Sequence, residues 1–174
     1  MDEVSRAHSG PDFEPGPMLG VLVGHAVDFV LIGGLAANSY GSPFPTYDVD
    51  IVPRSDHANL ERLSSALREL DARIRSEGVG GGVAFDHDAT SLAAVGVWNL
   101  ITPFGMLDIS FVPSGTSGYA DLAQEAVATP AYGVVVSIAS LADIVRSKQA
   151  ANRDKDRRVL PVLREILDKR LDEN

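Results

Sequence analysis

Residues 29–52 read FVLIGGLAANSYGSPFPTYDVDIV, and this stretch decides the fold. Phe29 to Ile32 is a short apolar run closed by Gly33-Gly34, the pattern of a buried strand running into a tight turn. Leu35 to Tyr40 suits a short helix, which Gly41-Ser42-Pro43 breaks. Asp48 to Val52 alternates acid and aliphatic, the period-two pattern of a strand with one polar and one apolar face. Asp48 and Asp50 therefore share a face, about 7 Å apart at their Cα atoms. Two like charges so placed repel each other, and a divalent cation between them removes the conflict, because Mg²⁺ favours carboxylate oxygens and substrate phosphates. Taken alone, such a pair is more often a solvated strand face. Its context changes the reading: the glycine turn lies in the same sheet, where bare backbone N–H groups at a helix N-terminus can meet phosphate.

Outward from this stretch, Leu19, Leu22, Val23 and Ala26 predict an amphipathic helix over Met18 to Val27. Asp56 is placed to cap a helix whose stripe is Leu60, Leu63, Leu67, Leu70 and Ile74. Four glycines between Gly78 and Gly82, followed by Asp86-His87-Asp88, read as a mobile loop. Val95 to Thr102 and Met106 to Val112 read as two strands of a hairpin joined by Pro103-Phe104-Gly105, with a third acid, Asp108, on the second strand. Gly133 to Ser137 is expected as an edge strand, and Leu141 to Ala151 as a helix. A last helical pattern runs from Asp154 to Leu171, with Pro161 expected to kink or interrupt it. The fold class is thus α/β (α+β), a mixed central sheet flanked by helices and finished by C-terminal helices. Residues 1–16 read as a disordered tail and 17–174 as one domain, with a core over 29–113 and a helical part over 138–171.

Composition narrows the chemistry. The absence of cysteine excludes disulfides, thiolate catalysis and cysteine-held zinc, and fits a cytoplasmic location. The acidic first residues do not form a signal peptide, and there is no apolar run long enough to predict a membrane span. A net charge of -9 opposes non-specific binding to nucleic acid, so any such contact is local; seven basic residues between Arg146 and Arg164 offer one basic face. The glycines at 78–82 lack the Lys-Ser/Thr ending of a phosphate loop, and His8, His25 and His57 have no nucleophile motif beside them. Asp86-His87-Asp88 has metal-ligand chemistry but no spacing that fixes a geometry, and reads as a solvated loop.

Lys148 follows Leu141, Ile144 and Val145 at helical intervals, which puts an ammonium in phase with a buried stripe. It is either a snorkelling stem at the stripe's edge or a cation with an anionic partner. Asp156 is in phase with Leu160 and Leu163, and a salt bridge from it to Lys148 or Arg153 is the structural alternative to a binding role.

These segments resemble the DNA-polymerase-β-type nucleotidyltransferase superfamily. Its first motif sets a Gly-Gly or Gly-Ser turn ten to thirteen residues before an Asp-x-Asp strand, and here thirteen residues separate Gly34 from Asp48. ITPFGMLDIS resembles its third-carboxylate strand, and LADIVRSKQAANRDKDRRVLPVL the C-terminal helices of its small bacterial members, among them AbiEii- and MenT-like toxins. The resemblance implies that Gly33 and Gly34 hold nucleotide phosphates, that Asp48, Asp50 and Asp108 hold Mg²⁺ or Mn²⁺, and that Lys148, Arg153 and Asp156 belong to the nucleotide site. One departure stands out: Phe44 occupies the place of an Arg that many relatives carry after Gly-Ser-Pro.

The implied activity is metal-dependent transfer of a nucleoside monophosphate from an NTP to an acceptor hydroxyl. RNA, and tRNA first, would be the acceptor in the toxin branch, with an antitoxin as partner and Arg146 to Arg158 as docking face. A catalytically idle binding module, or a transferase acting on a small molecule or a protein, is the alternative.

Overall fold

A computed structural model describes residues 11–174. The elements, in chain order, are α1 (Pro15–Gly24), β1 (Phe29–Ile32), α2 (Gly33–Ser39), β2 (Asp48–Pro53), α3 (His57–Glu69), β3 (Arg73–Ser76), β4 (Val79–Val83), α4 (Ala89–Ala93), β5 (Val97–Thr102), β6 (Gly105–Ser110), α5 (Tyr119–Ala123), β7 (Val127–Ala131), β8 (Val134–Ile138), α6 (Leu141–Ala151) and α7 (Asp154–Asp172). The strands form one mixed sheet in the order β4-β3-β5-β6-β2-β1-β8-β7. β1 and β2 are antiparallel, whereas β2 runs parallel to β6 and β1 parallel to β8. This is the mixed α/β architecture expected.

The sheet centre follows from the alternation read in the sequence. On β2 and β6 the register pairs Val49 with Leu107 and Ile51 with Ile109. All four are fully buried and belong to one core with Leu60, Leu63 and Leu67 of α3. The acids on the same strands must then point to the opposite face, because the side-chain period of a strand is two. Asp56 caps α3, accepting a hydrogen bond from Asn59 N at 3.0 Å, and Ser140 caps α6 in the same way from Asp143 N at 3.1 Å.

Several expectations are corrected. α1 begins at Pro15, and Glu14 N donates to Phe104 O at 2.8 Å while Phe13 packs on the core, so the loose tail does not extend through residue 16. Residues 1–10 of that tail lie outside the described residues. Ile74 belongs to β3, not to the α3 stripe: α3 ends at Glu69, and Asp71, with φ +46, turns the chain back. Gly78 to Gly82 form no mobile loop but the turn and second strand of the β3–β4 hairpin. A side chain at Gly82 would meet Ile101 Cγ2 at 2.7 Å and Ile74 O at 2.8 Å, so the glycine there serves close packing on β5. β8 is no edge strand, since β7 pairs along its outer side and β1 along its inner one. α7 runs through Pro161 without interruption, with Leu160 and Leu163 buried on either side of the proline. No helix of the described residues is long and apolar enough to cross a membrane.

One buried polar side chain ties this frame together. Asn59, fully buried on α3, accepts from Asp28 N at 2.7 Å and donates to Asp28 O at 2.9 Å and Arg54 O at 2.7 Å. It therefore holds the residue before β1 and the residue after β2 to the same helix. Asn59→Ala should cost about 3 kcal/mol in urea unfolding, because it strands buried backbone groups rather than merely removing a contact.

Candidate functional site

Asp48 and Asp50 lie on β2 and Asp108 on β6, where the parallel register sets Asp50 directly against Asp108. One carboxylate oxygen from each of the three comes within 4.8 Å of the others. Burial raises the Asp50 carboxyl, and the charges of Asp48 and Asp108 raise it further, to about 7. Burial is also the main cause that lifts Asp108 to about 6, against the opposing pull of Arg75. These are the marks of a site short of positive charge. Three hard oxygen donors converging with carboxyls this reluctant to ionise fit a divalent cation such as Mg²⁺ or Mn²⁺.

The glycine pair earlier in the chain is explained by this crowding. Gly33 has φ +74, and a Cβ on it would fall 2.2 Å from Asp50 Oδ2. At Gly34 a Cβ would fall 2.9 Å from both Cβ and Oγ1 of Thr46. Both glycines therefore let the start of α2 press against the carboxylate strand, a requirement that holds before any phosphate is considered. Thr46 in turn donates from Oγ1 to Asp48 Oδ1 at 3.0 Å. The connection between α2 and β2 is closed by Asn38, whose side-chain amide, with its nitrogen assigned from the network, faces Gly34 O and Ser42 O at 3.2 Å and Phe44 O at 2.8 Å.

A cavity of about 560 Å³ opens over the acids. It is lined by Gly33, Gly34, Phe44 and Thr46 on one side, by Asn99 and Asp108 on another, and by Lys148, Arg153 and Lys155 from α6 and α7. Lys148 has both of its expected features, since its ammonium lines the cavity and also lies 3.8 Å from Asp156 Oδ1. Burial lowers its pKa against the upward pull of Asp156 and Asp50. Asp156 is fully buried and does not line the cavity. Arg153 Nε donates to its Oδ2 at 2.7 Å and Arg153 Nη2 to its Oδ1 at 3.2 Å. The salt-bridge alternative is thus realised, with Asp156 paired to both Lys148 and Arg153.

Of the predicted site residues, Gly33, Gly34, Asp48, Asp50, Asp108, Lys148 and Arg153 all line this one cavity. Thr46, which precedes β2, was not singled out in the sequence, and neither were Arg75 and Asn99, which only the pairing of β3, β5 and β6 brings beside Asp108. Asp86, His87 and Asp88 do not line it. Ser64 Oγ lies 2.7 Å from His87 Nδ1, and Asp88 caps α4, so these residues build a connection instead of a metal site.

The backbone superposes on the lincosamide antibiotic adenylyltransferase LnuA, in its lincomycin-bound crystal structure, with a TM-score of 0.59 at 14% identity over 90% of this chain and 99% of that one. The chain has the nucleotidyltransferase fold. A Thermotoga maritima protein assigned as a nucleotidyltransferase matches with a TM-score of 0.50 at 18% identity, over 96% of this chain and 99% of that one. No family model and no curated protein matches the sequence. Within this nucleotidyltransferase fold, the carboxylates sit on the two central parallel strands, facing α6 and α7.

The crowding has a pH signature. The folded protein holds the Asp50 proton more tightly than the unfolded chain, so the cost of burying its charge is absent below about pH 4 and complete only above about 7. Asp50→Asn should therefore stabilise the metal-free protein by roughly 2 to 4 kcal/mol at pH 8, with the gain fading toward pH 4 in parallel urea titrations.

Proposed function

We propose that the chain is a metal-dependent nucleotidyltransferase that moves a nucleoside monophosphate from an NTP to a hydroxyl of a small-molecule acceptor. The observation that carries this reading is the convergence of Asp48, Asp50 and Asp108 within 4.8 Å, facing Lys148 across one cavity. In the reaction the acceptor oxygen forms a bond to the α-phosphorus, the bond to the bridging oxygen of the pyrophosphate breaks, and pyrophosphate leaves. Such chemistry needs positioning and charge neutralisation more than covalent help from the protein.

A divalent ion, Mg²⁺ or Mn²⁺, held by the three carboxylates would supply that neutralisation. Lys148 and Arg153, fixed by Asp156, offer cationic donors to the triphosphate. Gly33 and Gly34 leave backbone open to its oxygens at the start of α2. Asp108 would either complete this metal set or take up the acceptor's proton.

The acceptor side of the cavity supports a small molecule. Val97 and Val112 are both more than half exposed at its mouth, beside the amide of Asn99, and the volume of about 560 Å³ suits a drug-sized compound. LnuA, which this chain matches over nearly its whole length, is named for an antibiotic acceptor. The basic stretch offers less to RNA than its composition promises. Arg146 is paired with Asp121 and Asp143, Lys148 and Arg153 with Asp156, and Arg157 with Asp154. An RNA acceptor, with a toxin role and an antitoxin partner, is the second reading; it draws on the C-terminal motif resemblance and on Lys155 and Arg158, which form no ion pair among the described residues. Phe44 lines the cavity where a relative's Arg would stand, which favours an idle module as the remaining possibility.

Incubation with each labelled NTP, Mg²⁺, total RNA and a panel of hydroxyl-bearing small molecules separates the three. Label is expected in a low-mass product, and label in RNA instead would move the acceptor to the second reading. An idle module would show no metal-dependent nucleotide affinity in calorimetry. The Asp48→Ala, Asp50→Ala double variant should abolish transfer, and transfer that persists would sink the mechanism. Lys148→Ala should raise the KM for NTP by about tenfold while the acceptor KM changes little, the loss of one charge-assisted phosphate contact.

A further inference from the structure

Across the polar face of the sheet, Asp50, Asp108 and Asn99 are consecutive partners on β2, β6 and β5. The pairing of Arg73 with Ile101 and of Ile74 with Leu100 carries that row onto β3, where the next residue is Arg75. Arg75 Nη2 lies 3.2 Å from Asp108 Oδ1, with the arginine 35% and the aspartate 19% exposed. The contact is an ion pair without hydrogen bonding: Asp108 Oδ1 and Arg75 Nη1 are both buried and neither has a hydrogen-bond partner.

The same chain shows what a settled Arg–Asp pair looks like. Arg153 grips both oxygens of Asp156 at 2.7 and 3.2 Å, the bidentate geometry in which a guanidinium satisfies a carboxylate. Arg75 makes no such grip. It places the positive charge of a guanidinium beside a carboxylate oxygen that is still free to accept another partner.

We propose that Arg75 is a built-in competitor for the divalent cation. Its guanidinium neutralises Asp108 in the free protein, and a metal must offset that charge to take the carboxylate. The inference rests on the reading of Asp48, Asp50 and Asp108 as metal ligands. Its consequence is that metal alone takes Asp108 only with loss of affinity, and that the triphosphate, which brings oxygens and negative charge of its own, favours the loaded state.

The test is Mn²⁺ binding to the full chain without nucleotide, followed by calorimetry in the wild type, Arg75→Gln, Arg75→Lys and the Arg75→Gln, Asp108→Asn double variant. Arg75→Gln should bind Mn²⁺ about tenfold tighter, because a full charge is removed from beside a divalent site under partial screening. Arg75→Lys, which keeps the charge, should stay within about threefold of wild type, and the double variant should lose the gain. Equal or weaker binding by Arg75→Gln, while the wild type binds, would overturn the competitor role and make Arg75 a support for its ligand; the metal reading would survive. No Mn²⁺ binding in any variant would overturn both. A second measurement avoids substitution at Arg75: its guanidinium NMR signal should shift on Mg²⁺ addition to the wild type and stay fixed in Asp108→Asn. A signal fixed in both, with Mg²⁺ bound, overturns the proposal.

Discussion

Three carboxylates forced into contact on two parallel strands are the constraint around which this molecule is arranged. The β2–β6 register sets Asp50 against Asp108 on one face only because it sets Val49 against Leu107 and Ile51 against Ile109 on the other. Hydrophobic burial of the second face is what holds the charges of the first together, since a one-residue slip would send the acids into the core. Carboxyls lifted to about 7 and about 6 record the strain of that arrangement. The energy needed to keep them there comes from the apolar core beneath.

The neighbourhood adapts to the same crowding. Gly33 has no room for a side chain against Asp50, and Gly34 has none against Thr46, so the glycine turn is required by the packing of α2 on β2 itself. Fully buried Asp156 serves from the opposite wall, aligning Arg153 and drawing Lys148 toward it. Positive charge is thus delivered to the cavity by side chains that are already anchored, which would lower the entropy lost on binding an anionic ligand. The same anchoring takes most of the basic stretch out of use as a free docking face.

Local patterns foretold the centre of the fold well and its periphery badly. Phe29 to Ile32, Asp48 to Val52, the Asp56-capped helix and the hairpin around Pro103-Phe104 all stand where residue alternation, helical spacing and turn chemistry placed them. Failures came where long-range pairing overrode local composition. Four glycines between Gly78 and Gly82 look flexible in isolation, yet β3 pairs with them and Ile101 packs over Gly82. Ile74 continues the α3 stripe in phase, but pairs with Leu100 on β5. Val127 to Ala131 carries a proline and little apolar patterning, so nothing local announced the strand that turns β8 from an edge into an interior strand.

By itself, the sequence determined that a glycine turn and alternating acids belong to one strand–helix–strand unit, that Asp48 and Asp50 share a face, and that Lys148 and Asp156 lie in phase with buried stripes. Each of these is a short-range periodicity, and backbone geometry sets it without reference to the rest of the chain. Only the tertiary structure decided that Asp108 stands directly against Asp50, that Asp156 is spent on Arg153 and Lys148, and that Arg75 stands beside Asp108. Those relations pass through strand register across four strands and through ion pairing between helices. Register is chosen by the fit of the whole buried face, so no local run of residues encodes it.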